Sequence, residues 1–107
     1  MNKEFVPYEL AIQLKQLGFD VPSVSGYSYP DSDNILTQAI LFQQAFRWFR
    51  DKYNLKPQIT TTWDEWDFYI PESEYNDIPI RQSSDTWTYE DAELACLKKL
   101  IEVVEEI

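Results

Sequence analysis

Carboxylates and aromatic rings are interleaved between Pro57 and Ile80, with no lysine or arginine among them. Asp64, Glu65, Asp67, Glu72, Glu74 and Asp77 are set there among Trp63, Trp66, Phe68, Tyr69 and Tyr75. Three chemistries use such residues. Carboxylate oxygens suit hard cations such as calcium or magnesium, although the spacing matches no calcium-loop pattern. Paired carboxylates can hydrolyse a glycosidic bond, although nothing in the pattern indicates a cleft. Aromatic anchors set among charges make a protein-docking surface, here one suited to a basic partner. The residues assigned to that surface are Trp63, Asp64, Glu65, Trp66 and Asp67. The plain alternative is an acidic, solvated hairpin over a core of its own rings.

Elsewhere the residue types exclude more chemistry than they offer. The chain has no histidine, which removes the commonest general base, the commonest metal ligand and every Ser-His or Cys-His nucleophile. Gly18 and Gly26 are its two glycines, too few for a glycine-rich phosphate loop or a dinucleotide fingerprint. Cys96 falls beside the apolar stripe of a helix. A reactive thiol needs an electropositive, partly exposed setting, so Cys96 reads as a buried structural residue. Glu90 and Glu93 project towards the apolar side of the same helix, in its first turns. Carboxylates there are favoured by the helix dipole, and a structural role suffices for them. The expectation is a non-enzymatic protein with no cofactor and no metal.

The elements that position these residues follow from periodicity. Thr37 to Tyr53 is the densest aromatic segment and reads as one long helix. Turning ~100° per residue from Phe42 puts Gln38, Ala39, Leu41, Ala45, Phe46, Trp48, Phe49 and Tyr53 on its side, so this helix is expected to be central. Gln43, Gln44, Arg47, Arg50 and Asp51 fall on the other side, and Ile40 with them. The cationic ridge reads as a solvated face with Arg47 and Asp51 four residues apart, or as a contact to a partner or an anion. The helix ends by Leu55-Lys56-Pro57, because a residue before proline avoids helical angles.

Pro7 to Leu17 reads as the first helix, with proline at its first position. Leu10, Leu14 and Leu17 line one face with Ala11 at its edge, and Tyr8 and Ile12 lie opposite. Gly18 stands where a left-handed cap is needed, and Phe19 can fold back on the last turn. Val24 to Tyr29 has strand character, Pro30 to Asn34 is a turn cluster, and Ile35 to Thr37 returns as a short strand. Ile59 to Trp63 and Trp66 to Ile70 form a hairpin around an Asp64-Glu65 turn. Ile59, Thr61 and Trp63 share one face, and Trp66, Phe68 and Ile70 share one face of the partner. Glu72 to Asp85 is a polar loop in which Ile78, Ile80, Arg81 and Gln82 can add an edge strand. Thr88 to Ile107 is the closing helix. Thr88 and Asp91 form a variant capping box, and Trp87 and Ala92 occupy the hydrophobic-staple positions. Leu97, Leu100, Ile101, Val104 and Ile107 make its apolar stripe, flanked by Leu94, Cys96 and Val103. Lys98 and Glu102 can pair, and Glu105 and Glu106 oppose the dipole at a fraying end. The fold class expected is α+β, three helices packed on a small antiparallel sheet in the order α-β-α-β-β-α.

A chain of 107 residues is expected to form one domain, 1–107, that buries roughly 65% of its unfolded surface. A lone cysteine allows no internal disulfide, which fits a reducing compartment. No signal peptide and no membrane span is expected. Nine Lys and Arg stand against 19 Asp and Glu, for a net charge of −10. That balance argues against direct contact with nucleic-acid phosphates and can steer basic partners.

Three stretches carry a resemblance. They are Pro7-Tyr8-Glu9-Leu10-Ala11 with Leu14-Lys15-Gln16-Leu17-Gly18-Phe19-Asp20, then Gln44 to Tyr53 (QAFRWFRDKY), then Thr88 to Ile101 (TYEDAELACLKKLI). In this order, over roughly a third of the chain, they resemble a family of small uncharacterised proteins of Bacteroides phages, prophages and mobile elements. The Asp64-Glu65 turn departs from the glycine of that family's hairpin, which leaves the turn geometry open. The resemblance implies no catalytic residues. It implies a small accessory protein of a phage or mobile element, acting in the cytoplasm of a bacterial host. With the missing catalytic residue types, the first expectation is a non-enzymatic protein that binds another protein, either a different chain or a second copy in a homodimer. The alternatives are an acidic inhibitor that imitates nucleic-acid charge against a basic DNA- or RNA-binding protein, and a small carboxylate-based enzyme.

Overall fold

A computed structural model describes residues 5–19, 41–63 and 65–106. Three helices, α1 (Tyr8–Gln16), α2 (Phe42–Tyr53) and α3 (Tyr89–Glu105), accompany a sheet of three strands, β1 (Gln58–Thr62), β2 (Glu65–Ile70) and β3 (Ile80–Ser84). The strands lie antiparallel in the order β1-β2-β3. The fold is the expected α+β arrangement of helices on a small antiparallel sheet. The edge strand expected around Ile80 is β3. The strand expected between Val24 and Thr37 lies outside the described residues, as do Gln38, Ala39, Ile40 and Ile107.

Local chemistry sets the helix ends. Pro7 is the N-cap of α1, one position before its expected place, and its carbonyl accepts the Leu10 and Ala11 N–H groups at 3.0 Å. Gly18 takes φ +103° beyond the last turn. Its N–H bonds the Lys15 carbonyl, the Phe19 N–H bonds the Leu14 carbonyl, both at 3.0 Å, and Phe19 is buried. That is a Schellman closure, which a residue with a Cβ would strain. In α2 the structure corrects the expected start. Leu41 is extended, with φ −78° and ψ 146°, bridges to Phe5, and is the N-cap of a helix that begins at Phe42. The Gln44 carbonyl oxygen, Oε1, accepts the Leu41 N–H at 2.9 Å, so the polar residue three positions on closes the end. Asn54 ends α2 at φ 56°, ψ 28°, a left-handed position that its short polar side chain tolerates. The Thr88–Asp91 box of α3 is complete: Asp91 N–H donates to Thr88 Oγ1 at 3.2 Å and Thr88 N–H to Asp91 Oδ2 at 2.9 Å.

The core gathers on α3, which packs against β2, β1, α2 and α1. The central place expected of the aromatic helix α2 thus belongs to α3. Cys96, Leu97 and Leu100 are wholly buried, and Ile101 and Val104 nearly so. Phe42, Ala45, Trp48 and Phe49 of α2 enter the same core, and Arg47, Arg50 and Asp51 stay exposed. Phe19, Phe49 and Tyr53 meet the Trp48 ring edge-on at 5.0 to 5.5 Å, a geometry that adds to area burial. Among the described residues the ion pairs are Arg81–Asp67 and Lys99–Glu102, each at 3.6 Å. Glu102 therefore pairs with Lys99 and not with Lys98 as expected, and Arg47 and Asp51 do not pair. Such an exposed pair is worth ~0–1 kcal/mol.

The hairpin corrects a second expectation. β1 pairs with β2 in the register Ile59↔Phe68, Thr61↔Trp66 and Thr62↔Glu65, so the reversal begins at Trp63 and Glu65 already belongs to β2. A turn at Asp64-Glu65 would set Trp63 opposite Trp66 and Ile59 opposite Ile70. The two registers differ by two residues. A strand's side chains alternate with period two, so both bury Ile59, Phe68 and Ile70 on one face, and periodicity cannot choose between them. Phe68 and Ile70 are fully buried against α3, with Trp87 stacked on Phe68 at 6.2 Å.

Phe49 is fully buried while Phe46, one turn back, is half-buried. Phe49→Ala should lower the unfolding free energy by about 3–5 kcal/mol in urea titrations, and Phe46→Ala by distinctly less. Equal losses would overturn this account of the α2 face.

Candidate functional site

Register places the hairpin residues. Glu65, Asp67 and Tyr69 alternate with Trp66, Phe68 and Ile70 along β2, so they point away from α3. Their β3 neighbours on that outer face are Ser83, opposite Asp67, and Arg81, opposite Tyr69. Asp67 is 5% exposed although it lies on this face. The Thr60 hydroxyl, across the ladder, donates to its Oδ1, and Arg81 Nη1 approaches its Oδ2 at 3.6 Å. The Arg81 guanidinium also lies over the Tyr69 ring, 4.9 Å from its centre. A buried carboxylate must be paired or hydrogen-bonded, and here both conditions hold.

Trp63 stands at the end of this face with φ 53°, 93% exposed. A bulky residue at positive φ is a conformational outlier, and an indole left in water gains nothing from burial. Trp63, Glu65, Asp67, Arg81 and Ser83 line an open cleft of about 280 Å³. Of the residues singled out in the sequence, Trp63, Glu65 and Asp67 therefore come together. Trp66 does not: it faces the α3 side, half-buried, with its ring 5.2 Å from that of Tyr89. Asp64 lies outside the described residues. Glu72, Glu74 and Asp77 are exposed on the segment that follows β2, away from the tip, so the acidic stretch does not converge. Arg81 was legible only as part of an edge strand. Its role needs the β2–β3 register, for which a segment without strong alternation gives no signal.

The other candidates are structural in their contacts. Cys96 is fully buried. Burial, and secondly the charge of Glu93, push its thiol far above the ordinary value, so it is held as the unreactive thiol. Glu93 is 7% exposed, as its place on the apolar side implied. The Tyr89 hydroxyl is pushed up by partial burial first, then by the charge of Glu93 and a hydrogen bond to it, and last by Glu90. Tyr89 and Glu93 line a concavity of about 310 Å³ with Leu41, Phe42 and Gln43. Among the described residues, no three His, Cys, Asp or Glu side chains are grouped to hold a metal ion. Among them, too, no helix is long and apolar enough to cross a membrane. Comparison with protein-family models, with curated proteins and with solved structures finds no match to this chain.

Cys96 supplies a test of its burial. Its pKa is raised on folding, so the stability this gives is complete below the unfolded thiol's ordinary value, near 9.0. It is lost as pH rises beyond that point, because only the unfolded chain then ionises. Unfolding free energy should fall more steeply above that pH in the wild type than in Cys96→Ala, and the native thiol should resist a disulfide exchange reagent. Rapid native labelling would overturn the assignment.

Proposed function

We propose that this chain is a non-enzymatic binding protein that engages a protein partner through the tip of the β1–β2 hairpin. The observation that carries the reading is Trp63, almost wholly exposed at a positive φ. A residue that costs the fold conformational energy and buries nothing within it has its use in a partner. Tryptophan is also the side chain most often found at the centre of binding energy in interfaces. Glu65 is exposed beside the indole, and its charge favours a partner with basic groups at the contact, whereas Asp67 is buried and already paired. Arg81 offsets the Asp67 charge, which favours an aromatic anchor with a charged surround over an imitation of phosphate charge. The residue types agree with a binder: the chain has no histidine, and its cysteine is buried. The setting we propose, a phage or prophage accessory protein in the cytoplasm of a bacterial host, rests on the three sequence stretches that carry the family resemblance.

Strain and function separate in one variant. In Trp63→Gly the positive φ becomes unstrained, and relief of such strain is worth on the order of 1 kcal/mol. The variant should unfold at a higher midpoint than the wild type. It should also fail to retain the partner that tagged wild-type protein captures from Bacteroides lysate and holds through a wash at high salt. Retention of that partner by Trp63→Gly would remove the hairpin tip from the interface. Release of the wild-type partner by salt alone would favour the charge-imitating inhibitor.

A further inference from the structure

A second surface lies between α1 and α3, on residues that the hairpin does not use. Leu94, Lys98, Ile101 and Glu105 recur along α3 at intervals of four and three, and with Leu10 of α1 they line one open groove of about 430 Å³. Leu10 and Ile101 form its buried floor, and Leu94 is half-buried within it. From Leu94 to Glu105 the groove runs ~16 Å at 1.5 Å per residue, about three helical turns.

The rim gives the groove a sign. Among the described residues, Glu9 borders it on α1, and Lys98, Glu102 and Glu105 on α3, with Lys99 paired to Glu102 at 3.6 Å. Glu102, Glu105 and Glu106 also crowd the last turn of α3, which contains no basic residue. Carboxylates at a helix C-terminus add to the negative end of the dipole and are unfavourable for the helix itself. The apolar floor thus opens beside the most negative end of α3, in a protein of net charge −10.

We propose that this groove docks a basic amphipathic helix of a partner protein. The helix would set apolar side chains spaced i, i+4, i+7 on Leu10, Leu94 and Ile101, and lysines or arginines against Glu102 and Glu105. Docking an apolar helix face in a hydrophobic groove is a general mode of recognition, and charge complementarity sets its direction and speeds its encounter.

The test uses the full chain and a fluorescein-labelled synthetic helix of leucine and lysine, amphipathic at helical spacing, with a scrambled peptide of the same composition as control. Fluorescence anisotropy should show saturable binding of the amphipathic peptide, at least about tenfold tighter than the scrambled one, a gap of ~1.4 kcal/mol. Leu94→Glu should abolish it. Glu102→Gln with Glu105→Gln changes exposed positions only and should weaken it about tenfold and reduce its salt dependence. Trp63→Gly should leave it unchanged, so failure here and failure of the hairpin reading remain separate results. Equal binding of both peptides, or binding indifferent to the groove variants, would overturn the proposal. So would a homodimer in sedimentation that Leu94→Glu dissociates, since a second copy would then be the occupant.

Discussion

Burial of the apolar face of α3 is the constraint on which the rest of the structure depends. Among the described elements, α1, α2 and the sheet each pack on that helix. A fully buried aliphatic side chain is worth about 1.5–3 kcal/mol, and Leu97, Leu100 and Ile101 supply three of them in little more than one turn. α2 brings the larger rings, but its rings act by closing over α3 and over the end of α1. Phe19 against Trp48 is the joint that a single glycine, Gly18, makes possible.

The sheet inherits its two faces from the same constraint. Once Phe68 and Ile70 are committed to α3, the alternate residues of β2 must face away. Asp67 is then carried to the outer face and still buried there. Its stability in that place comes from Thr60 on one neighbouring strand and Arg81 on the other. One carboxylate thus links all three strands, and of its two partners Arg81 also lines the cleft beside Trp63. Removing either partner leaves a buried charge short of a partner, which is costlier than losing the contact itself.

The two surfaces that carry functional proposals differ in what holds them. The hairpin tip is an exposed ring on a locally strained turn, presented by a rigid ladder. The α1–α3 groove is a shallow apolar floor bounded by carboxylates, of which Glu105 adds to the negative end of its own helix while Glu102 pairs with Lys99. Both bear a feature that the fold alone does not favour, and sites of binding are where such departures from local consistency are expected. They share no lining residue.

The sequence by itself determined what depends on near neighbours. The Gly18 closure, the Thr88–Asp91 box, the buried sides of α1, α2 and α3, the pairing of an inward β2 face and the burial of Cys96 all follow from patterns within one helix or one strand. The absence of histidine set the limit on chemistry before any fold was known. Only the tertiary structure decided the hairpin register, because two registers two residues apart bury the same side chains. That choice put Trp63 into the turn and gave Thr60 to Asp67. It also separated Trp63 from Trp66, which the sequence had grouped in one surface. The meeting of Asp67 with Arg81, the buried place of a carboxylate on an outward face, and the groove beside Leu94 arise between residues far apart in the chain. Periodicity records which side of an element is apolar, and it holds no record of which other element will come to lie beside it.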